Sequence, residues 1–286
     1  MDPALCATAW KGDQLIQVVA VGATCTPLNT HLYSGCGYPS PSIQDFYFRP
    51  IFTIGSFHFD KPMLLVLLTT IIVVGFFWAA FRKPQLVPRG VQNVGELGIL
   101  FVRDQILRPQ MGKKGDNWLP FLCALFFFIW INNIFGIIPI LYFPATSRYE
   151  YPLILTAMVW LLYMGIGVWK QGPFGYFKNM AVPQGAPLWI LPLLVPIELF
   201  SNIIVRPFTL SIRLFANMLA GHVLLLVFAL ATWYLLSLSI GLVYSAVSFA
   251  VLIGLTGLEL LIQLLQAFIF TILTANYIAG AYEPQH

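Results

Sequence analysis

The sequence predicts an all-α membrane protein with five transmembrane spans, the last two forming a long, strongly tilted helical hairpin. Three observations carry that expectation. Of the 286 residues, 59% are hydrophobic and 9% charged, against roughly 45–50% and about 25% in soluble domains. The mean hydropathy of +0.81 is spread over charge-poor stretches recurring from Pro62 almost to Ala279, not confined to one tail. The formal charge is +4, and most Lys and Arg residues fall between the apolar stretches. Basicity here reports orientation in a bilayer, and no patch for nucleic acid is visible. A soluble enzyme is excluded.

Residues 1–61 read as an extracytoplasmic segment and 62–286 as the membrane domain. Span one, 62–81, is an apolar run bracketed by Lys61 and by Arg82 with Lys83, close to the ~20 residues a helix needs to cross hydrocarbon. Spans two and three, about 118–143 and 151–169, are parted only by the short polar stretch 144–150 and form a helical hairpin. A Gly- and Pro-punctuated connection carrying Lys170 and Lys178 follows. Spans four and five, about 188–236 and 241–280, are apolar except for Glu198, Arg206, Arg213 and Glu259. Val91–Arg108 mixes apolar and polar positions and reads either as a surface-lying helix or as a solvated connector. Segments 82–117 and 170–187 hold nine Lys and Arg, against four in 1–61 and 144–150. That asymmetry places the N-terminus outside and the C-terminus in the cytoplasm. An exterior N-terminal segment permits a disulfide, with Cys25 and Cys36 as the expected pair. Leu15–Ala23 is too short for a span and lacks a cleavage site, so no signal peptide is expected.

The last span, at 1.5 Å per residue, is about 60 Å long, twice the bilayer, so it must be steeply tilted or bent. Arg213 and Glu259 enclose 45 residues without a formal charge, and an ionisable group at such depth needs a cavity or a partner. In an antiparallel hairpin of equal rise, facing residues have numbers that add to about 480. Arg213 then lies level with Gln266, Asn217 with Gln263, and His222 with Glu259, with the turn near Ser239-Ile240. Arg213 and Glu259 differ by roughly 12 Å in depth, too far for direct pairing. Glu259, Gln263 and Gln266 share one helix face, as do Arg206, Arg213 and Asn217, whereas His222 lies nearly half a turn round from Arg213. Two polar patches at different depths suit two water-filled entrances that do not meet. Blander readings stand beside this one. His222 with Glu259 makes a good interhelical tie, and Asn217, Gln263 and Gln266 can act as amide glue. Asn132 and Asn133, followed by Gly136 and Pro139, either line a hydrated entrance or satisfy a kink.

The run Arg213-Leu-Phe-Ala-Asn217-Met-Leu-Ala-Gly-His222 resembles the signature of subunit a of the F-type ATP synthase, as do Arg206-Pro207 and Leu265-Gln266-Ala-Phe-Ile-Phe270. Phe81-Arg-Lys-Pro-Gln-Leu-Val-Pro88 and Phe101-Val-Arg-Asp-Gln-Ile106 resemble actinobacterial versions. The resemblance covers about residues 60–282 and implies a bacterial plasma-membrane protein whose final hairpin lies against a rotor ring of c subunits. It further implies b-type stator subunits and the rest of the ATP synthase as partners, protons as cargo, and no catalysis by this chain. Arg213 matches the arginine that meets each ring carboxylate, and Asn217 and Gln266 match its polar neighbours. Gln263 lies on the same stripe. His222 and Glu259 occupy positions where some relatives hold Glu and His in the reverse order, in the outer half-channel. Glu198 lies near an acidic position on the cytoplasmic side. No cofactor or metal is implied, and no Gly-rich phosphate loop is present. The alternative is a secondary transporter with an intramembrane Arg/His/Glu proton relay, which predicts an internal repeat and a substrate pocket; no repeat is visible. An intramembrane hydrolase lacks both HExxH and GxSxG here.

Overall fold

The computed structural model describes residues 19–20, 23–24, 52–54, 57–82, 85, 87–138, 146, 148–181, 191–236 and 240–282. Cys6, Cys25 and Cys36, with the expected disulfide, lie outside the described residues, as does most of the expected turn. Among the described residues the free cysteine is the buried Cys123. Five helices are long and apolar enough to cross a membrane: Lys61–Phe81, Val91–Ile134, Glu150–Gln171, Pro192–Tyr234 and Gly241–Tyr282. Two short antiparallel ribbons precede them, β1 (Val19–Ala20) with β2 (Ala23–Thr24) and β3 (Phe52–Ile54) with β4 (Phe57–Phe59).

The chain divides into two compact units. The larger comprises Phe48–Leu219 and Leu260–His286. It opens with α1 (Lys61–Phe81), whose second residue is Pro62, a proline tolerated where the helical N–H has no partner anyway. Asp60, just before it, is ion-paired to Arg148 at 2.8 Å, joining the entry of α1 to the stretch before α5 (Glu150–Gln171). Burial of Arg148 acts to lower its pKa, but the hydrogen bond to Asp60 and the nearby carboxylates raise it on balance.

After α1 the chain stays helical from Val91, well before the expected start at 118, and stops at Ile134 instead of 143. It runs through α2 (Val91–Phe101), a π-helical turn Val102–Leu107, α3 (Arg108–Met111), a 3₁₀ turn Gly112–Trp118 and α4 (Leu119–Ile134). Gln92 and Gly95 of α2 point inward. Gln92 is buried, bonding to the Gln85 carbonyl and to Glu96, and Gly95 lets α1 approach to 3.0 Å of where a Cβ would stand. Val91, Val94 and Leu97 are exposed. That is how a lipid-facing helix is arranged, not a solvated connector.

α6 (Pro173–Ala181) follows α5 across Gly172 at φ 75°, and α7 (Leu191–Phe200) leads through a π-helical turn, Ser201–Val205, into α8 (Arg206–Tyr234). Each π-helical turn ends two residues before a proline, Pro109 or Pro207. A proline lacks its N–H and presses on the carbonyl four residues back, and a widened turn removes both conflicts. Span four therefore stays helical across Pro207. The core of this unit joins Val102, Ile106, Leu122, Phe126, Ile129, Val159, Leu210, Leu214, Phe270 and Ile278. Along α9 (Ile240–Tyr282), Ala267, Thr271, Thr274, Ala275 and Ala281 are buried, small residues that let helices approach closely. Thr271 and Thr274 satisfy their hydroxyls on carbonyls four residues back, so no donor is left open to lipid.

The smaller unit includes Ala220–Glu259, the parts of α8 and α9 either side of their connection. Ser245 donates to the Thr232 carbonyl at 2.8 Å and Ser248 to the Phe228 carbonyl at 3.2 Å. Two serines thus tie the arms through the backbone.

Candidate functional site

Within the larger unit α8 is split lengthwise. Ser211, Leu214 and Met218 are buried, whereas Thr209, Ile212, Arg213, Ala216 and Asn217 recur at helical spacing on the exposed side. Arg213 and Asn217 therefore stand together on one face, as their four-residue spacing predicts, and none of the ion pairs among the described residues includes Arg213. An outward guanidinium amid apolar helix surface is costly in a bilayer unless a second body or water meets it.

On α9, Gln263 and Gln266 are buried at 0% and 2% exposure, while Leu261, Leu264 and Leu265 are exposed. Asn217 Nδ2 donates to Gln266 Oε1 at 2.7 Å, so the equal-depth expectation that set Asn217 against Gln263 is corrected by three residues. The cause is side-chain direction. Each Cα–Cβ bond tilts toward its own helix N-terminus, and in an antiparallel pair those tilts converge, so residues offset in depth meet. Gln266 Nε2 and Ser211 Oγ, both buried, have no partner among the described residues, which leaves polar capacity here for water.

In the smaller unit His222 and Glu259 are both buried. A Cβ built at Gly221 would lie 2.9 Å from Glu259 Oε1 and 3.0 Å from its Cδ, so the carboxylate rests on the residue preceding His222. The pair anticipated from the register is brought into one neighbourhood, and Gly221 makes the room. Sequence reading passed over Gly221, although a glycine inside a helical run is a signal of close approach.

Glu198 and Arg206, in the larger unit, form an ion pair at 3.9 Å, and the Arg206 guanidinium lies 5.6 Å from the Tyr277 ring centre. Tyr277 stands 5.4 Å from the Tyr163 ring, and Tyr163 donates its hydroxyl to the Asn202 carbonyl at 3.2 Å. The carbonyl belongs to the π-helical turn Ser201–Val205. Tyr163, Asn202 and Tyr277 carried no sequence signal, since tyrosines in apolar helices usually mark interfaces. Asn132 and Asn133 are buried at 1% and 0% exposure. Asn133 Oδ1 accepts from Thr146 Oγ1 at 2.9 Å, and Asn132 Oδ1 and Asn133 Nδ2 have no partner among the described residues. No group of three potential metal ligands occurs among the described residues.

A family model described as ATP synthase A chain matches residues 63–279. The chain belongs to that family. ATP synthase subunit a of Streptomyces lividans is 45% identical over 273 residues, covering 94% of this chain and 95% of that protein. The Parafrankia subunit a is 48% identical over 226 residues, 79% and 76% of the two chains, and that of Frankia alni 44% over 250 residues, 86% of each. These relatives are actinobacterial, as the resemblance implied. Membership makes the chain the proton-translocating membrane subunit of an ATP synthase, with no catalytic site of its own, and sets the secondary-transporter reading aside.

Proposed function

We propose that the chain provides two offset half-channels that load and unload carboxylates on a ring of c subunits, coupling proton flow to ring rotation. The observation that carries this reading is the outward stripe of α8, where Arg213 and Asn217 stand exposed beside Ile212 and Ala216. A ring of helices with mid-membrane carboxylates suits it in shape and charge. Protons enter from outside past Asn132, Asn133, His222 and Glu259, neutralise a ring carboxylate, and leave to the cytoplasm near Glu198. Arg213 separates the two paths. Its permanent positive charge favours the ionised form of a carboxylate brought beside it and repels a proton passing straight through. Asn217, Gln263 and Gln266 hold water and polar surface beside it. Each charge moved through 100 mV supplies about 2.3 kcal/mol, which rotation delivers to the catalytic head.

A cysteine at Ile212 in the assembled complex tests the docking face. It is expected to cross-link to a cysteine placed beside the ring carboxylate; accessibility only to lipid-soluble reagents, with no cross-link, would mean the face is bare to lipid.

In the proposed orientation residues 1–61 lie outside, the membrane domain spans 62–286, and b-type stator subunits hold the chain against the turning ring in a bacterial plasma membrane. Cysteines at Lys113 and Lys178 are expected to react with a membrane-impermeant thiol reagent from the cytoplasmic side alone. Labelling at Lys113 from outside would invert the topology.

A further inference from the structure

The end of α5 and the short helix after it form a surface that the proton path does not use. α5 stops at Gln171, Gly172 takes φ 75°, and α6 runs from Pro173 to Ala181. The turn is held from inside by Tyr176. Its ring fills the space where Gly167 has no side chain, and its hydroxyl lies 3.6 Å from Met164 Sδ. With Tyr176 committed inward, the other aromatics of this corner face outward: Trp169 is 82% exposed, Phe174 91% and Phe177 41%. Three large apolar rings so bare at the end of a membrane-crossing helix do not belong in water, and the glycine turn does not carry them into deep hydrocarbon. Rings of this kind collect at the headgroup level.

Charge points the same way. Between Glu150 and Glu198 the charged residues are Lys170 and Lys178, with no acid among them. The Lys170 ammonium lies 5.5 Å from the Trp169 ring centre and 5.2 Å from that of Tyr282, which holds the cation at the level of the rings instead of letting it swing free into solvent.

We propose that Trp169, Phe174 and Phe177, with Lys170, form an interfacial anchor that seats in the bilayer surface and takes anionic phospholipid headgroups. The rings enter the boundary between headgroups and acyl chains while Lys170 meets lipid phosphates. An acidic protein surface would satisfy Lys170 but leave Phe174 with no apolar medium, so lipid is the occupant that fits both features.

The test uses the whole complex in vesicles of phosphatidylcholine with or without phosphatidylglycerol, with the chain's other cysteines replaced and an environment-sensitive fluorophore on Phe174→Cys. Lipids carrying a quencher near the headgroup are expected to quench it strongly, those with a quencher deep in the chain weakly, and aqueous acrylamide, a neutral quencher that the vesicle charge does not repel, little. Adding phosphatidylglycerol is expected to shield it further from acrylamide, and Lys170→Gln to abolish that added shielding, at roughly fivefold in surface affinity for one lysine. Ready quenching by acrylamide would show a solvated face, and quenching by neither reagent would show a protein-covered one; either overturns the anchor. An unchanged response to phosphatidylglycerol in the lysine variant overturns the headgroup assignment.

Discussion

An Arg213→Lys variant is expected to assemble normally and to make no ATP from a proton gradient. The positive charge is kept, but a planar, weakly hydrated and permanently protonated fork is replaced by a compact ammonium that loses its proton readily once desolvated. At an outward position with no acid partner among the described residues, none of the described residues would hold that proton in place. Arg213→Ala is expected to go further and admit passive proton leak, because no fixed charge then parts the two half-channels. Neither change removes a core contact, since the residues buried on α8 are Leu210, Ser211, Leu214, Met218 and His222 and Arg213 is not among them, so both complexes should be recovered at normal ring content. ATP synthesis and passive proton permeability in vesicles decide the matter. Wild-type synthesis in the Lys variant would remove Arg213 from the proposed mechanism.

The second large effect is expected at His222 and Glu259. A positioned group relaying a proton contributes about 10²–10⁴-fold, and water filling the space left by Ala recovers part of that. His222→Ala and Glu259→Ala should therefore each slow proton entry by roughly tenfold or more while the complex stays assembled. His222→Glu combined with Glu259→His restores an acid and an imidazole to the same neighbourhood and should regain part of the flux. Gly221→Ala adds a methyl 2.9 Å from Glu259 Oε1. It should displace the carboxylate and slow entry severalfold without touching either relay group. Disassembly in both single Ala variants would make the pair an interhelical tie and nothing more.

Much of this was legible in the chain before any fold. Hydrocarbon cannot satisfy a backbone polar group, so apolar runs of sufficient length must be helices, and the helices long enough to cross a membrane number five, as expected, although the second starts at Val91 and stops at Ile134. The same constraint made Arg213, His222 and Glu259 conspicuous, because an ionisable group in an apolar run demands a reason. Other features were hidden by the limits of one-dimensional patterning. Val91–Phe101 read as amphipathic, and the structure turns Gln92 and Gly95 inward to Gln85 and α1 while Val91, Val94 and Leu97 face out. Tyr277 meets Arg206, Tyr163 packs on Tyr277, and Asn202 accepts from Tyr163, a chain of contacts drawn from three separate segments that no spacing along the sequence announces.

The sequence by itself determined the number of spans, the polar residues within them and which of those share a helix face, because 3.6 residues per turn and the ~30 Å of hydrocarbon leave little choice. Tertiary structure decided which of those residues touch. Asn217 bonds to Gln266 and not to Gln263 because side chains on antiparallel helices lean toward one another's level. Glu259 comes to rest on Gly221 because the missing side chain there leaves room for a carboxylate. Depth follows from counting residues, whereas contact depends on the direction in which each side chain leaves its helix and on how closely two backbones come together.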